Sequence, residues 1–205
     1  MRRVALVLTA MALALVLASG VALAVNKVGT NGPDTLRGTN KADILLGRGA
    51  NDILLALAGN DNLLGERGKD IVFGGSTERR LSGGNKNLVG GSGNDSVIGG
   101  RGSDTVLGEV GNDLVADGPD REFATDNVSG GDGNDVVAAV NRPAFVDIVS
   151  CGSGFDRVIV DRKDVLAPDC EKVFFGLGSE DEFIESIPQS FFEGLHPQFF
   201  QFLPR

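Results

Sequence analysis

An apolar residue recurs every ninth position from Leu36 through Leu45, Leu54 and Leu63 to Val72, and an aspartate stands two residues before each: Asp34, Asp43, Asp52, Asp61 and Asp70. Glycines lead into the aspartates, most fully in GGSGNDSVI (Gly90 to Ile98) and GGRGSDTVL (Gly99 to Leu107). Residues two apart on a strand point to the same side. Each unit therefore predicts a short strand with its eighth residue turned inward, after a turn whose dihedrals glycine takes without strain. So short a period marks a solenoid. Two units, about 18 residues, would make one coil of turn, strand, turn, strand, and successive coils would pair their strands in parallel about 4.8 Å apart. The predicted class is all-β, a parallel β-solenoid.

The frame starts at Gly29 and continues from Gly38, Gly47, Ala56, Gly65 and Gly74. Arg79 takes the aspartate place of the Gly74 unit, and the next stretch, GGNKNLV (Gly83 to Val89), is two residues short and has no aspartate. Regular units resume at Gly90, Gly99 and Gly108. The unit from Asp117 carries four extra residues and recovers Asp126 and Val128; Gly130 to Ala138 is regular; Ala139 to Ser150 carries three extra around Arg142 and Pro143 and keeps Asp147 and Val149. The last clear unit, CGSGFDRVI, runs from Cys151 to Ile159. The insertions belong in turns, where extra chain costs little. Beyond Ile159, VDRKDVLAPDCEKVFF reads as a final strand pair capping the open end. The expected organisation is a signal peptide over 1–24, the solenoid over 25–159, a disulfide-linked cap over 160–175 and a Phe-rich tail over 176–205.

Glycine makes up 30 of 205 residues, and Trp and Tyr are absent, so an ordinary core of large side chains is not expected. A net charge of −9 argues against nucleic-acid binding, which uses clustered Lys and Arg. Stacked coils align every second aspartate in a column. Two carboxylates about 4.8 Å apart repel by roughly 3.5 kcal/mol at an effective dielectric of 20, and such a column needs a hard cation. Calcium takes six to eight oxygens, backbone carbonyls included; magnesium prefers to keep its waters, and zinc would want the His or Cys that the array lacks.

These units resemble the RTX, or hemolysin-type, calcium-binding nonapeptides G-G-x-G-x-D-x-U-x, from Gly29 to Ile159. The resemblance implies a parallel β-roll with several Ca2+ held between turns n and n+2. The metal ligands would be Asp34, Asp43, Asp52, Asp61, Asp70, Asp95, Asp104, Asp113, Asp126, Asp135, Asp147 and Asp156. The implied bridging pairs are Asp34 with Asp52, Asp43 with Asp61, Asp52 with Asp70, Asp95 with Asp113, Asp104 with Asp126, Asp113 with Asp135, Asp126 with Asp147, and Asp135 with Asp156. Around Arg79 and the short unit the columns are expected to break, with little calcium between Arg79 and Asn87. That leaves two blocks, Asp34 to Asp70 and Asp95 to Asp156. The best-formed sites are expected in Gly90 to Asn112 and Gly130 to Asp135; Lys41, Ala50, Ala124 and Phe145 replace the fourth-position glycine and weaken their turns.

Arg2 and Arg3 precede an uncharged run from Val4 to Val25 that contains Ala22-Leu23-Ala24, the pattern of a secretory signal cut after Ala24. Left uncut, the run is long enough to anchor in a bilayer. Outside the cytoplasm Cys151 and Cys170 are expected to pair, closing a loop of about 20 residues worth roughly 3 kcal/mol in the chain-entropy view; two free thiols are the alternative. No catalytic residue is assigned. His196 is the only histidine and lies in the tail, and neither H-E-x-x-H nor G-x-S-x-G occurs. Ile44, Leu46, Ile53, Leu55, Leu64, Ile71 and Phe73 fall at outward places. They predict either a contact surface for a partner, a second copy or the tail, or a flattened roll that buries both faces. The expected function is that of a secreted, non-enzymatic calcium-binding protein that folds on Ca2+ and works as an extracellular module with an unknown extracellular or cell-surface partner. The alternatives are an accessory domain or remnant of a secreted hydrolase, and a surface-anchored adhesion module.

Overall fold

A computed structural model describes residues 23–75, 84–118, 124–141 and 145–175. Most of the predicted signal segment, Arg79, the insertion at Arg142 and Pro143, and the tail with His196 lie outside the described residues.

The described elements are all strands, wound into two parallel eight-stranded sheets. One holds the odd strands: β1 (Asn26–Val28), β3 (Ile44–Gly49), β5 (Asn62–Arg67), β7 (Asn87–Ser92), β9 (Thr105–Val110), β11 (Asn127–Asp132), β13 (Ile148–Ser153) and β15 (Val165–Leu166). The other holds the even strands: β2 (Thr35–Arg37), β4 (Ile53–Leu55), β6 (Ile71–Phe73), β8 (Ser96–Ile98), β10 (Leu114–Ala116), β12 (Val136–Ala139), β14 (Arg157–Val160) and β16 (Lys172–Phe175). Each strand pairs only with the next of its own parity, as a β-roll requires. No helix among the described residues is long and apolar enough to cross a membrane.

The eighth-position residues make the core. Leu45, Leu54, Leu63, Val72, Leu88, Val97, Val106, Val115, Val137, Val149 and Val158 are buried in one continuous stack between the sheets. Burying each such side chain contributes about 1.5–3 kcal/mol. Register follows the same residues, with Leu45 beside Leu63, Leu63 beside Leu88 and Leu88 beside Val106.

One expectation needs correction. The units anticipated at Gly74 and Gly83 form a single half-coil: β7 is the next strand after β6, and Asn62 pairs with Asn87. Together the two units span 16 residues, Gly74 to Val89, and the seven in excess of one unit fall between β6 and β7. This puts every insertion on the same side of the roll. The turns that lead into odd strands, called here the first edge, hold the long turn before β7 and the insertions before β11 and β13. The turns that lead into even strands, the second edge, start at Gly29, Gly47, Gly65, Gly90, Gly108, Gly130 and Cys151 and carry no insertion.

At the C-terminal end β15 and β16 do not pair with each other. They extend the two sheets, beside β13 and β14, in the same parallel sense. Cys151 and Cys170 form a disulfide with a Cα separation of 5.1 Å, tying β13 to the segment before β16.

Of the outward apolar residues, Ile44 and Ile53 are exposed, while Leu46, Leu55, Leu64, Ile71 and Phe73 are half-buried. A second apolar cluster lies further along, on the even sheet. Ile98, Leu114, Ala116, Val136, Ala138, Val140 and Ile159 form a second buried cluster, joined by Phe73 and Phe174. Seventh and ninth positions of the later units supply most of it.

Candidate metal centre

The sixth-position aspartate is the residue just before each strand, and the parallel register fixes its neighbours. Its N–H donates to the Oδ1 of the aspartate one coil further on. The distances are 2.8 Å for Asp34 to Asp52, Asp43 to Asp61, Asp52 to Asp70, Asp95 to Asp113, Asp113 to Asp135, Asp126 to Asp147 and Asp135 to Asp156, and 2.6 Å for Asp104 to Asp126. All eight anticipated pairs are thus adjacent. The structure adds a ninth, Asp70 to Asp95 at 2.7 Å, which carries the second edge unbroken through the region where an interruption was expected. Asp34, Asp52, Asp70, Asp95, Asp113, Asp135 and Asp156 make the column of the second edge; Asp43, Asp61, Asp104, Asp126 and Asp147 belong to the first. All are buried except Asp34, which is half-buried.

The other carboxylate oxygen decides the chemistry. In Asp52, Asp61, Asp70, Asp95, Asp113, Asp135 and Asp156 the Oδ2 is buried and has no hydrogen-bond partner. A buried acceptor without a donor is costly. On the second edge, the first glycine of the unit shows what lies beside it. A Cβ placed on Gly108 would lie 2.5 Å from Asp113 Oδ2 and 2.4 Å from the Gly130 carbonyl oxygen. The corresponding pair, the unit's own aspartate Oδ2 and the next coil's carbonyl, flanks Gly47, Gly65, Gly90 and Gly130. A bare carboxylate oxygen and a backbone carbonyl from the next coil thus converge beside a position that has no side chain. Oxygen donors, negative charge and burial together suit a hard cation, calcium above magnesium.

Burial pushes these carboxyls upward, the backbone N–H pulls back less, and neighbouring carboxylates add to the rise. Asp61, Asp95, Asp135 and Asp147 stand at about 6 and Asp113 at about 7, against an ordinary 3.8. Asp70 and Asp156 shift the same way.

Comparison with known protein families matches the RTX calcium-binding nonapeptide repeat in four copies, over residues 28–63, 46–77, 82–115 and 124–139. The chain belongs to the RTX calcium-binding nonapeptide repeat family. No curated protein matches it. RTX repeats bind Ca2+, and this RTX roll presents buried aspartate oxygens able to hold it.

Two ends of the RTX array differ from its middle. Thr30 and Thr39, where a glycine is usual, donate through N–H and Oγ1 to the Oδ2 of Asp34 and Asp43, so the first turns serve their own carboxylates. Beyond the last clear repeat the columns continue. Asp147 donates to Asp164 Oδ1 at 3.0 Å, and Asp156 to Glu171 Oε2 at 3.1 Å. Sequence reading missed both, although Leu166 and Val173 keep the acid-x-apolar spacing after them. By the same spacing Lys86, two before Leu88, is the sixth-position residue of the long half-coil, rather than Arg79.

Asp117 was also missed. It stands in a first position, where glycine is expected, and carboxylate oxygens of Asp117, Asp126 and Asp147 all lie within 4.8 Å of one another, buried. Val140 N–H donates to Asp117 at 2.9 Å, and the Asn141 amide donates to Asp147. Cys151, Asp169 and Cys170 also lie close together, but the disulfide removes both thiolates. Asp169 instead accepts from Ser150, Cys151 and Gly152 within β13.

Proposed function

We propose that this protein is a secreted, non-catalytic calcium-binding module whose RTX roll closes on Ca2+ and then serves as an extracellular binding or structural element. The observation that carries the reading is the run of bare, buried Oδ2 atoms, each beside a converging backbone carbonyl on the regular edge. The ligands on the second edge are Asp52, Asp70, Asp95, Asp113, Asp135 and Asp156, with Asp34 at its start. Those on the first edge are Asp61, Asp104, Asp126 and Asp147, with Asp43 at its start. Calcium gives each bare oxygen a partner and cancels the repulsion along the column. Because the unfolded chain has no such cradle, binding energy becomes folding energy. The signal-like Arg2 to Ala24 segment and the Cys151–Cys170 bridge support export to an oxidising compartment. The exposed apolar side chains of Ile44, Ile53, Val110, Ile148 and Phe155 support a contact role, with a partner or a second copy.

Calorimetric titration of the chain from Val25 tests the reading. Uptake of several Ca2+ per chain, with no comparable heat from Mg2+, is expected. Absence of uptake at millimolar calcium would rule it out.

A further inference from the structure

Among the described residues Lys86 is the one buried cationic side chain, 2% exposed, in a roll whose other buried charges are carboxylates. Its backbone sits in the aspartate register of the first edge. The N–H donates to Asp104 Oδ1 at 2.9 Å, and the carbonyl accepts from Thr105 at 2.8 Å, as the Asp43 carbonyl accepts from Asn62 at 2.9 Å. The side chain goes where a regular unit aims its carboxylate. At Gly74, the first residue of this half-coil, a Cβ would meet Lys86 Cδ at 2.8 Å and the Gly99 carbonyl oxygen at 2.2 Å. In regular units the corresponding pair is a bare Oδ2 and the next coil's carbonyl. The Lys86 Nζ donates to the Gly84 carbonyl of its own turn at 3.0 Å. Its charge also acts favourably on Asp61, the preceding member of the column.

We propose that Lys86 is a tethered cation that takes the place of a calcium ion on the first edge, between the levels of Asp61 and Asp104. Its stem fills the cradle, its ammonium engages a turn carbonyl, and its charge offsets the flanking carboxylates. Unlike calcium, it is present at any ion concentration and cannot be chelated. The first-edge array is thereby divided into an Asp43 and Asp61 segment and a segment from Asp104 onward. The second edge passes the same level through Asp70 and Asp95. The middle of the roll is then the part that depends least on calcium.

The inference rests on the calcium reading above, and ion counting on the calcium-saturated chain separates the two. Wild type should carry several Ca2+, and Lys86→Asp at least one more. Lys86→Met should keep the wild-type count but melt at a lower temperature in saturating calcium. Lys69→Met, at an exposed lysine of a second-edge turn, should melt as wild type does. Equal counts in wild type and Lys86→Asp, or a Lys86→Met protein as stable as wild type, overturn the role of Lys86. If Lys86→Asp does not fold, the comparison of Lys86→Met with Lys69→Met decides. A wild-type chain that carries no calcium overturns the calcium reading and this inference together.

Discussion

Asp113 shows how the residue scale works. Its Oδ1 accepts the Asp95 N–H at 2.8 Å, while its Oδ2 is buried and bare. The two oxygens have separate duties, and two substitutions separate them. Asp113→Asn keeps an acceptor for the Asp95 N–H but removes the charge. It should weaken calcium binding about tenfold or more, a change of about 1.4 kcal/mol, in a calorimetric titration. Asp113→Ala also leaves a buried N–H unserved and should cost a further 1–3 kcal/mol, roughly, in urea unfolding of the calcium-loaded protein. Turn geometry is as demanding. Gly93 has φ +142°, and a Cβ there would sit 1.4 Å from the Gly68 carbonyl oxygen, so Gly93→Ala should destabilise by about 3 kcal/mol or more. Glu109 stands at a second position with φ +77°; Glu109→Gly relieves a left-handed side chain and should stabilise by about 1 kcal/mol. These roles were partly legible. The aspartate and apolar pair two residues apart is a local signal, and all twelve anticipated aspartates stand in the two columns. What local spacing does not carry is the division of labour within each carboxylate, or the way Thr30 and Thr39 take up the oxygens of Asp34 and Asp43.

At the scale of elements, several carboxyls of the columns are shifted in the same direction. The carboxyls of Asp61, Asp95, Asp113, Asp135 and Asp147 are raised from 3.8 to between about 6 and about 7, chiefly by burial. Over that window the folded metal-free roll keeps protons that the unfolded chain has already released. Its stability should therefore be greatest near and below pH 4 and fall as the pH rises toward 7. Calcium replaces those protons, so its affinity should rise over the same window; melting curves from pH 4 to pH 7, with and without Ca2+, check both signs. The coil pattern explains what the period alone could not settle. Whether Gly83 to Val89 make a half-coil of their own or complete the one begun at Gly74 depends on pairing with β5, and Leu88 beside Leu63 shows that they complete it. That outcome gathers the insertions onto the first edge and leaves Lys86 in the ligand place. It also explains why the expected gap in both columns is a substitution in one.

Over the described residues the molecule is a stack of short strands with a modest core, large buried negative charge and a disulfide at one end. Parallel pairing makes each coil depend on its neighbours, so the roll should form or melt from its weakest coils. Opening the Cys151–Cys170 bridge, by Cys151→Ser with Cys170→Ser, should lower the stability of the calcium-loaded protein by about 3 kcal/mol. It should not change the calcium count, because Asp156 and Asp147 lie in coils that pair independently of the bridge. The central claim, that calcium and folding are one event, is tested most directly by far-UV circular dichroism of the oxidised chain from Val25 at pH 7, titrated with Ca2+ from excess chelator. The account predicts a weak, largely disordered spectrum in chelator that converts cooperatively to a strong β spectrum as calcium is added. A full β spectrum in chelator, unchanged by calcium, would contradict it.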